Sequence, residues 1–292
     1  MTRQSGVALI TVLIGVAILA LIAAVVMSQT TVSAGSARGQ TEALQAEAIA
    51  DAAVAETVLA LGDRRADHRP RVDGVPRTID VLGTKVEVTV QDEYGRIDLN
   101  QADGGLLVRL FHAEGLSGAD AAALADKVLD WREPGPGKHL NGATADDYRD
   151  AGYAYLPRRA AFQTVDELRL VMGMTPELYD SVRPALTIYS GRPGLNLATA
   201  PVEALVALPG FDRQKALDAV AGRLRDDATV NGPVIGGRID PAIPLAGWPF
   251  TIRTKLVAGR RVFDRSTTVR LTADPNRPFW ILSEEENAEI AQ

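Results

Sequence analysis

The sequence predicts an α+β protein, in which a long N-terminal helix packs on an antiparallel sheet and a large helical unit is inserted between the strands. Three observations carry this. An uncharged apolar run leads directly into an alanine-rich amphipathic stretch. Alternating apolar and polar segments flank a long middle region on both sides. That middle region, from about Asn100 to Ser190, has helical spacing.

The chain opens MTRQSG and continues VALITVLIGVAILALIAAVVM, with no charge from Val7 to Met27. A helix over that run rises about 31 Å, enough to cross a bilayer core. Arg3 is the only charge before it, which places the N-terminus in the cytoplasm by the positive-inside rule. A cleavable signal peptide ending near Ala34-Gly35-Ser36-Ala37 is the competing reading. Gly15, Ala17, Ala20, Ala23 and Ala24 would let helices approach closely in lipid. From Ser28 to Leu61 there is no proline. The set Ala43, Leu44, Ala46, Glu47, Ile49, Ala50, Ala53, Val54, Thr57, Val58 and Leu61 forms a stripe at 3-4 spacing. Residues 7–61 therefore read as one helix, with 7–27 as the membrane span.

Residues 62–97 read as the first β part. A polar linker is followed by Ile79, Val81, Val86, Val88 and Val90 on one face, Lys85, Glu87 and Thr89 on the other, and a turn at Gly83. Residues 98–226 read as the inserted helical unit, with helices over Gly104–His112, Gly118–Arg132 and Pro176–Arg183 and a cap at Thr164. Residues 227–278 read as the second β part. There Phe250, Ile252, Thr254 and Leu256 alternate, Ala258-Gly259 turns, and Thr267, Val269 and Leu271 return before Asp274-Pro275 stops the strand. Residues 279–292 read as an acidic tail making an edge contact or remaining disordered.

The helical unit contains a repeat. Ile97-Asp98-Leu99-Asn100-Gln101-Ala102 matches Leu195-Asn196-Leu197-Ala198-Thr199-Ala200. Each copy leads through a helix, a glycine turn and a second helix to an arginine, Arg132 or Arg223. The second copy resembles a helix-hairpin-helix motif with Leu208-Pro209-Gly210-Phe211 as the hairpin. Such hairpins can present backbone N–H groups to phosphate. Here Asp212, Asp218, Asp226 and Asp227 offset Arg213 and Lys215, so no nucleic acid is expected.

Composition narrows the function further. The 292 residues carry net charge −6, against a chain built mainly to coat nucleic acid. No cysteine is present, which excludes disulfides and thiol chemistry. The three histidines, His68, His112 and His139, share no metal-ligand spacing. There is no Walker loop, GxGxxG, HExxH or GxSxG, so no enzyme is expected.

A glycine-ended leader, residues 1–6, running into such a helix resembles a type IV prepilin. Asp92-Glu93-Tyr94-Gly95-Arg96-Ile97-Asp98-Leu99-Asn100 and the run FQTVDELRLVMGMTPELYDSVRPALTIYSG are similar to the K-type minor pseudopilins of type II secretion systems. The resemblance implies cleavage after Gly6 by a prepilin peptidase and N-methylation of Val7. Most pilins carry glutamate where this chain has Thr11, and the K type is the one that lacks it. A tip subunit has no neighbour above it whose ammonium needs neutralising in lipid. The resemblance also implies a pilin-like fold with a helix-hairpin-helix or SAM-like insertion, and a single-pass inner-membrane protein with its head in the periplasm. The partners implied are I-, J- and H-type minor pseudopilins and an inner-membrane assembly platform. Part of that family binds calcium, for which Asp130, Glu133, Asp146 and Asp147 are the candidate ligands here. The rival readings are a tethered nucleic-acid receptor and a minor pilin of a type IV pilus.

Overall fold

The computed structural model describes residues 40–224, 234–235, 237–240, 242–259 and 261–290. The leader, Gly6, Val7, Thr11 and the proposed span 7–27 lie outside the described residues. Among the described residues, no helix is long and apolar enough to cross a membrane.

Along the chain, α1 (residues 40–61) precedes β1 (Arg77–Val81), β2 (Thr84–Asp92), β3 (Ile97–Asp98), α2 (Gly104–Ala113), α3 (Gly118–Arg132) and α4 (Ala145–Asp150). There follow α5 (Pro176–Val182), β4 (Leu186–Thr187), α6 (Val202–Leu205), α7 (Arg213–Leu224), β5 (Val234–Ile235) and β6 (Arg238–Ile239). The series closes with β7 (Pro249–Ala258), β8 (Arg261–Leu271) and β9 (Phe279–Ile290).

Five strands form one antiparallel sheet in the order β1-β2-β7-β8-β9. The β2–β7 pairing sets Val88 against Thr254 and Val90 against Ile252, so everything between Asp92 and Pro249 is an insertion between neighbouring strands. Period-2 alternation then sorts the side chains. Val86, Val88, Val90, Phe250, Ile252, Leu256, Phe263 and Val269 are buried in one core cluster with α1, while Lys85, Glu87, Arg253 and Lys255 are exposed.

α1 meets this sheet along a seam narrower than its sequence predicts. Ala46, Ala50, Ala53, Val54, Thr57, Val58 and Leu61 are buried, and the small alanines let the helix lie close to the strands. Leu44 is 66% exposed and Glu47 is also exposed, so both belong to the outward face. The Arg265–Asp51 ion pair, 2.5 Å, ties β8 to the helix, and Arg77 Nη2 donates to Thr57 Oγ1.

The insertion has its own core. α2 buries Leu106, Leu107, Leu110 and Phe111 at 3-4 spacing, each full burial contributing about 1.5–3 kcal/mol. Its N-cap is Asp103, whose carboxylate accepts from Leu106 N at 2.7 Å. Ser117 caps α3, and Thr175 caps α5 with Pro176 just inside. Thr164 makes no side-chain cap, contrary to its sequence signal. Instead the Glu167 carboxylate accepts from Gln163 N at 3.2 Å ahead of a 3-10 turn over Val165–Leu170. The unit is not purely helical either, because β3 pairs in parallel with β4 and β5 pairs with β6.

The segment read as an acidic tail is a strand. β9 pairs with β8 along its length, setting Arg265 opposite Glu286 and Leu271 opposite Phe279. Consecutive glutamates have poor strand propensity. Cross-strand hydrogen bonding and the Glu284–Arg265 ion pair at 3.2 Å hold them in the sheet.

Candidate functional site

The site that the sequence marks most clearly, Asp92 to Asn100, is the junction between sheet and insertion. Asp92 ends β2 and is fully buried. It accepts four hydrogen bonds, from Tyr94 N (2.9 Å), Trp248 Nε1 (2.7 Å), Asn196 Nδ2 (2.9 Å) and Thr199 Oγ1 (2.8 Å). One carboxylate thus joins the exit from the sheet, the turn that opens the second copy and the return to β7. Burial pushes its pKa up, and the same donors work against that shift.

Its neighbours complete the joint. Glu93, 1% exposed, accepts from Arg96 Nη1 (2.9 Å) and Thr251 Oγ1 (2.7 Å). The Tyr94 ring lies 5.0 Å from Trp248, and the Arg192 guanidinium stacks on it at 3.8 Å. Gly95 is required by proximity, since a Cβ there would stand 2.7 Å from the backbone carbonyl of Thr199. Gly95→Ala should cost about 1–3 kcal/mol through forced displacement of that loop, read as a lower urea midpoint. An unchanged midpoint would show that the loop yields freely.

The repeat seen in the sequence returns in the hydrogen bonds that close the opening turn of each copy. Asp98 Oδ1 accepts from Asn100 N, and Asn196 Oδ1 accepts from Ala198 N. Arg132 donates to the carbonyls of Leu99 and Ala102, the second at 2.7 Å. Arg223 donates to the carbonyls of Leu197 and Ala200, the second at 2.8 Å. Each arginine at the end of a second helix thus clamps the turn that begins its own copy. The glycine turns match as well, with Gly115 at φ +105° and Gly210 at φ +86°. Arg109 Nε donates to Ala207 O at 2.7 Å and Arg213 pairs with Glu114 at 2.8 Å, linking the copies.

Those contacts also occupy the hairpin's cations. Arg213 faces Glu114, while Lys215 donates to Gly210 O at 3.1 Å and sits 3.5 Å from Asp212.

The four candidate metal ligands do not converge. Asp130, 1% exposed, accepts from His139 N (3.1 Å), His139 Nδ1 (2.8 Å) and Ala143 N (2.9 Å), with Arg159 3.6 Å away. A Cβ on Gly142 would lie 1.7 Å from its Oδ2, so the loop is folded tightly over it. Glu133 is near His139 Nε2, at 3.7 Å. Asp146 pairs with Arg149. Asp147 closes a capping box with Thr144 and takes Lys138 at 2.8 Å. Lys138 and Thr144 hold its pKa well below the ordinary carboxylate range. Among the described residues, no group of three or more His, Asp or Glu side chains is placed to hold a metal ion. These residues do not fit calcium as arranged, because protein donors already engage them. Spacing could not reveal this; the signal lay in the cations Lys138, His139, Arg149 and Arg159 scattered around the acids.

Trp248, Arg192 and the Asp92–Asn196 bond escaped the sequence reading. They come from segments about a hundred residues or more from Asp92 and carry no local pattern.

Sheet, covering helix and stapled insertion define a structural head of the α+β class, in which the marked residues hold parts together. Residues 89–191, which span the junction and the helices through β4, match the family described as "Type II secretion system (T2SS), protein K". Over those residues the resemblance to K-type minor pseudopilins read from the sequence is borne out. The chain is also similar in fold to a chain of the GspK-GspI-GspJ complex from the type 2 secretion system of enterotoxigenic Escherichia coli. Identity is 16% and TM-score 0.62, covering 86% of this chain and 98% of that one. No curated protein matches.

Proposed function

We propose that this chain is a K-type minor pseudopilin that initiates or caps the type II secretion pseudopilus for protein export across the outer membrane. The observation that carries the reading is the family match over residues 89–191, which covers the junction from the end of β2 to β4. The likeness to a complex containing GspK, GspI and GspJ supports I- and J-type minor pseudopilins as partners. The apolar, uncharged run 7–27 supports a single-pass inner-membrane anchor with the head in the periplasm. H-type subunits, the assembly platform, cleavage after Gly6, methylation of Val7 and the tip role of Thr11 complete the proposal. The role is structural, so catalysis plays no part in it. The duplicated helix–turn–helix units serve as helix-hairpin-helix packing modules.

Detergent-solubilised full-length chain should co-purify with I- and J-type minor pseudopilins and show a mature terminus at Val7 by mass spectrometry. Failure to retain either subunit, or a terminus near Ala37, would overturn the reading. A nucleic-acid receptor is disfavoured because Arg213 and Lys215 are already engaged. DNA affinity falling steeply with salt would reinstate it.

The engagement of Asp130 and Asp147 by protein donors has a thermal consequence. Millimolar calcium should leave Tm unchanged, as should a chelator. A calcium-dependent rise abolished in the Asp146→Ala, Asp147→Ala double variant would install the ion.

A further inference from the structure

β9 is the outermost strand on its side of the sheet and, among the described residues, hydrogen-bonds only to β8. A long free edge is a template for another strand unless it is blunted. Here the blunting is partial. The register slips at Thr268/Val269, pairing Val269 with Ile281 and Thr268 with Ser283, so Leu282 has no partner. Around that bulge, Trp280, Ile281 and Leu282 are 52%, 57% and 36% exposed. The partner strand's Val269 is fully buried while Ile281 opposite it is open; Phe279 packs against the core and Arg277 stacks on Trp280 at 4.4 Å.

Charge says what can pair here. Glu284, Glu285, Glu286 and Glu289 follow the apolar run, and no lysine or arginine lies between Phe279 and Gln292. A full-length antiparallel pair with a second copy would set Glu284 against Glu285. A register centred on Ile281 avoids this but leaves only Phe279–Ser283 paired. A parallel pair sets like beside like. Directly opposed like charges are destabilising, so the acidic run guards against self-association. Within the chain Arg265 already faces Glu284 at 3.2 Å and Arg183 faces Glu285 at 3.1 Å, so a different strand would set its cations chiefly against Glu286.

We propose that the β9 edge takes up an extended segment of another polypeptide as a sixth strand. Its apolar half covers Ile281 and Leu282, and its lysine- or arginine-bearing half lies against Glu286. The proposal rests on the sheet edge alone and does not depend on the secretion reading.

The test uses detergent-solubilised full-length chain and a fluorescein-labelled twelve-residue peptide. The peptide has lysine at alternate positions of its first half and valine through its second half. Saturable binding by anisotropy is expected. Replacing its lysines by glutamates, or N-methylating alternate amides along one edge, should each weaken binding at least about tenfold, because several cross-strand contacts are lost together. Glu286→Lys in the chain, an exposed change that leaves the fold intact, should weaken it about two- to fivefold. No binding, equal binding of the N-methylated peptide, or a homodimer lost in Glu286→Lys would overturn the proposal. Failure here would leave co-purification with I- and J-type subunits unaffected, so the two readings fall separately.

Discussion

Replacing Asp92 by alanine is expected to destabilise the chain by about 3–5 kcal/mol, because several donors lose their acceptor together and a buried donor left unsatisfied costs about 1–3 kcal/mol. Trp248 Nε1, Thr199 Oγ1 and Asn196 Nδ2 all point at this carboxylate, and the first two bonds are buried. Alanine leaves those donors without an acceptor where water does not reach. The donors belong to segments 104 to 156 residues away in sequence, so the loss falls on tertiary structure and spares any single helix. Urea denaturation should show the drop in midpoint, and limited proteolysis should release the insertion from the sheet. A stability change below about 1 kcal/mol would mean that Asp92 is not the staple described.

Arg223→Ala should cost about 2–4 kcal/mol, from two charge-assisted hydrogen bonds to carbonyls of Leu197 and Ala200. Arg223 is only 4% exposed, and burial lowers its pKa, so the guanidinium stays charged only because arginine is so basic. Arg132→Ala should lose the same pair of bonds at Leu99 and Ala102, with a smaller cost because that side chain is partly open to solvent. Lysine should rescue neither well. Its single ammonium cannot span two carbonyls three residues apart as a planar fork does. Equal stability of the lysine variants would remove the clamp as the explanation of the repeat.

Much of this was legible along the chain because it follows from local periodicity. Alternation at Val86, Val88 and Val90 and at Phe250, Ile252 and Leu256 located β2 and β7 and their buried face. The repeat was legible down to its terminal arginines, because each arginine bonds within its own copy. Gly83 and Gly210 marked turns at positive φ, where glycine is the least strained residue. DEYGRIDLN was legible as a motif, although nothing in it said which distant groups Asp92 would meet.

The amino-acid order by itself determined the alternating faces of β2 and β7, the two copies of the helical module and the uncharged apolar run 7–27. Tertiary structure alone decided the register of β2 against β7, that residues 279–290 are a strand, that Leu44 turns outward, and that Asp130 folds a loop with His139 and Ala143. The reason is one of range. Periodicity and caps act within a few residues, whereas a pairing partner, a buried donor or a covering helix is supplied from elsewhere in the chain only after the chain has folded.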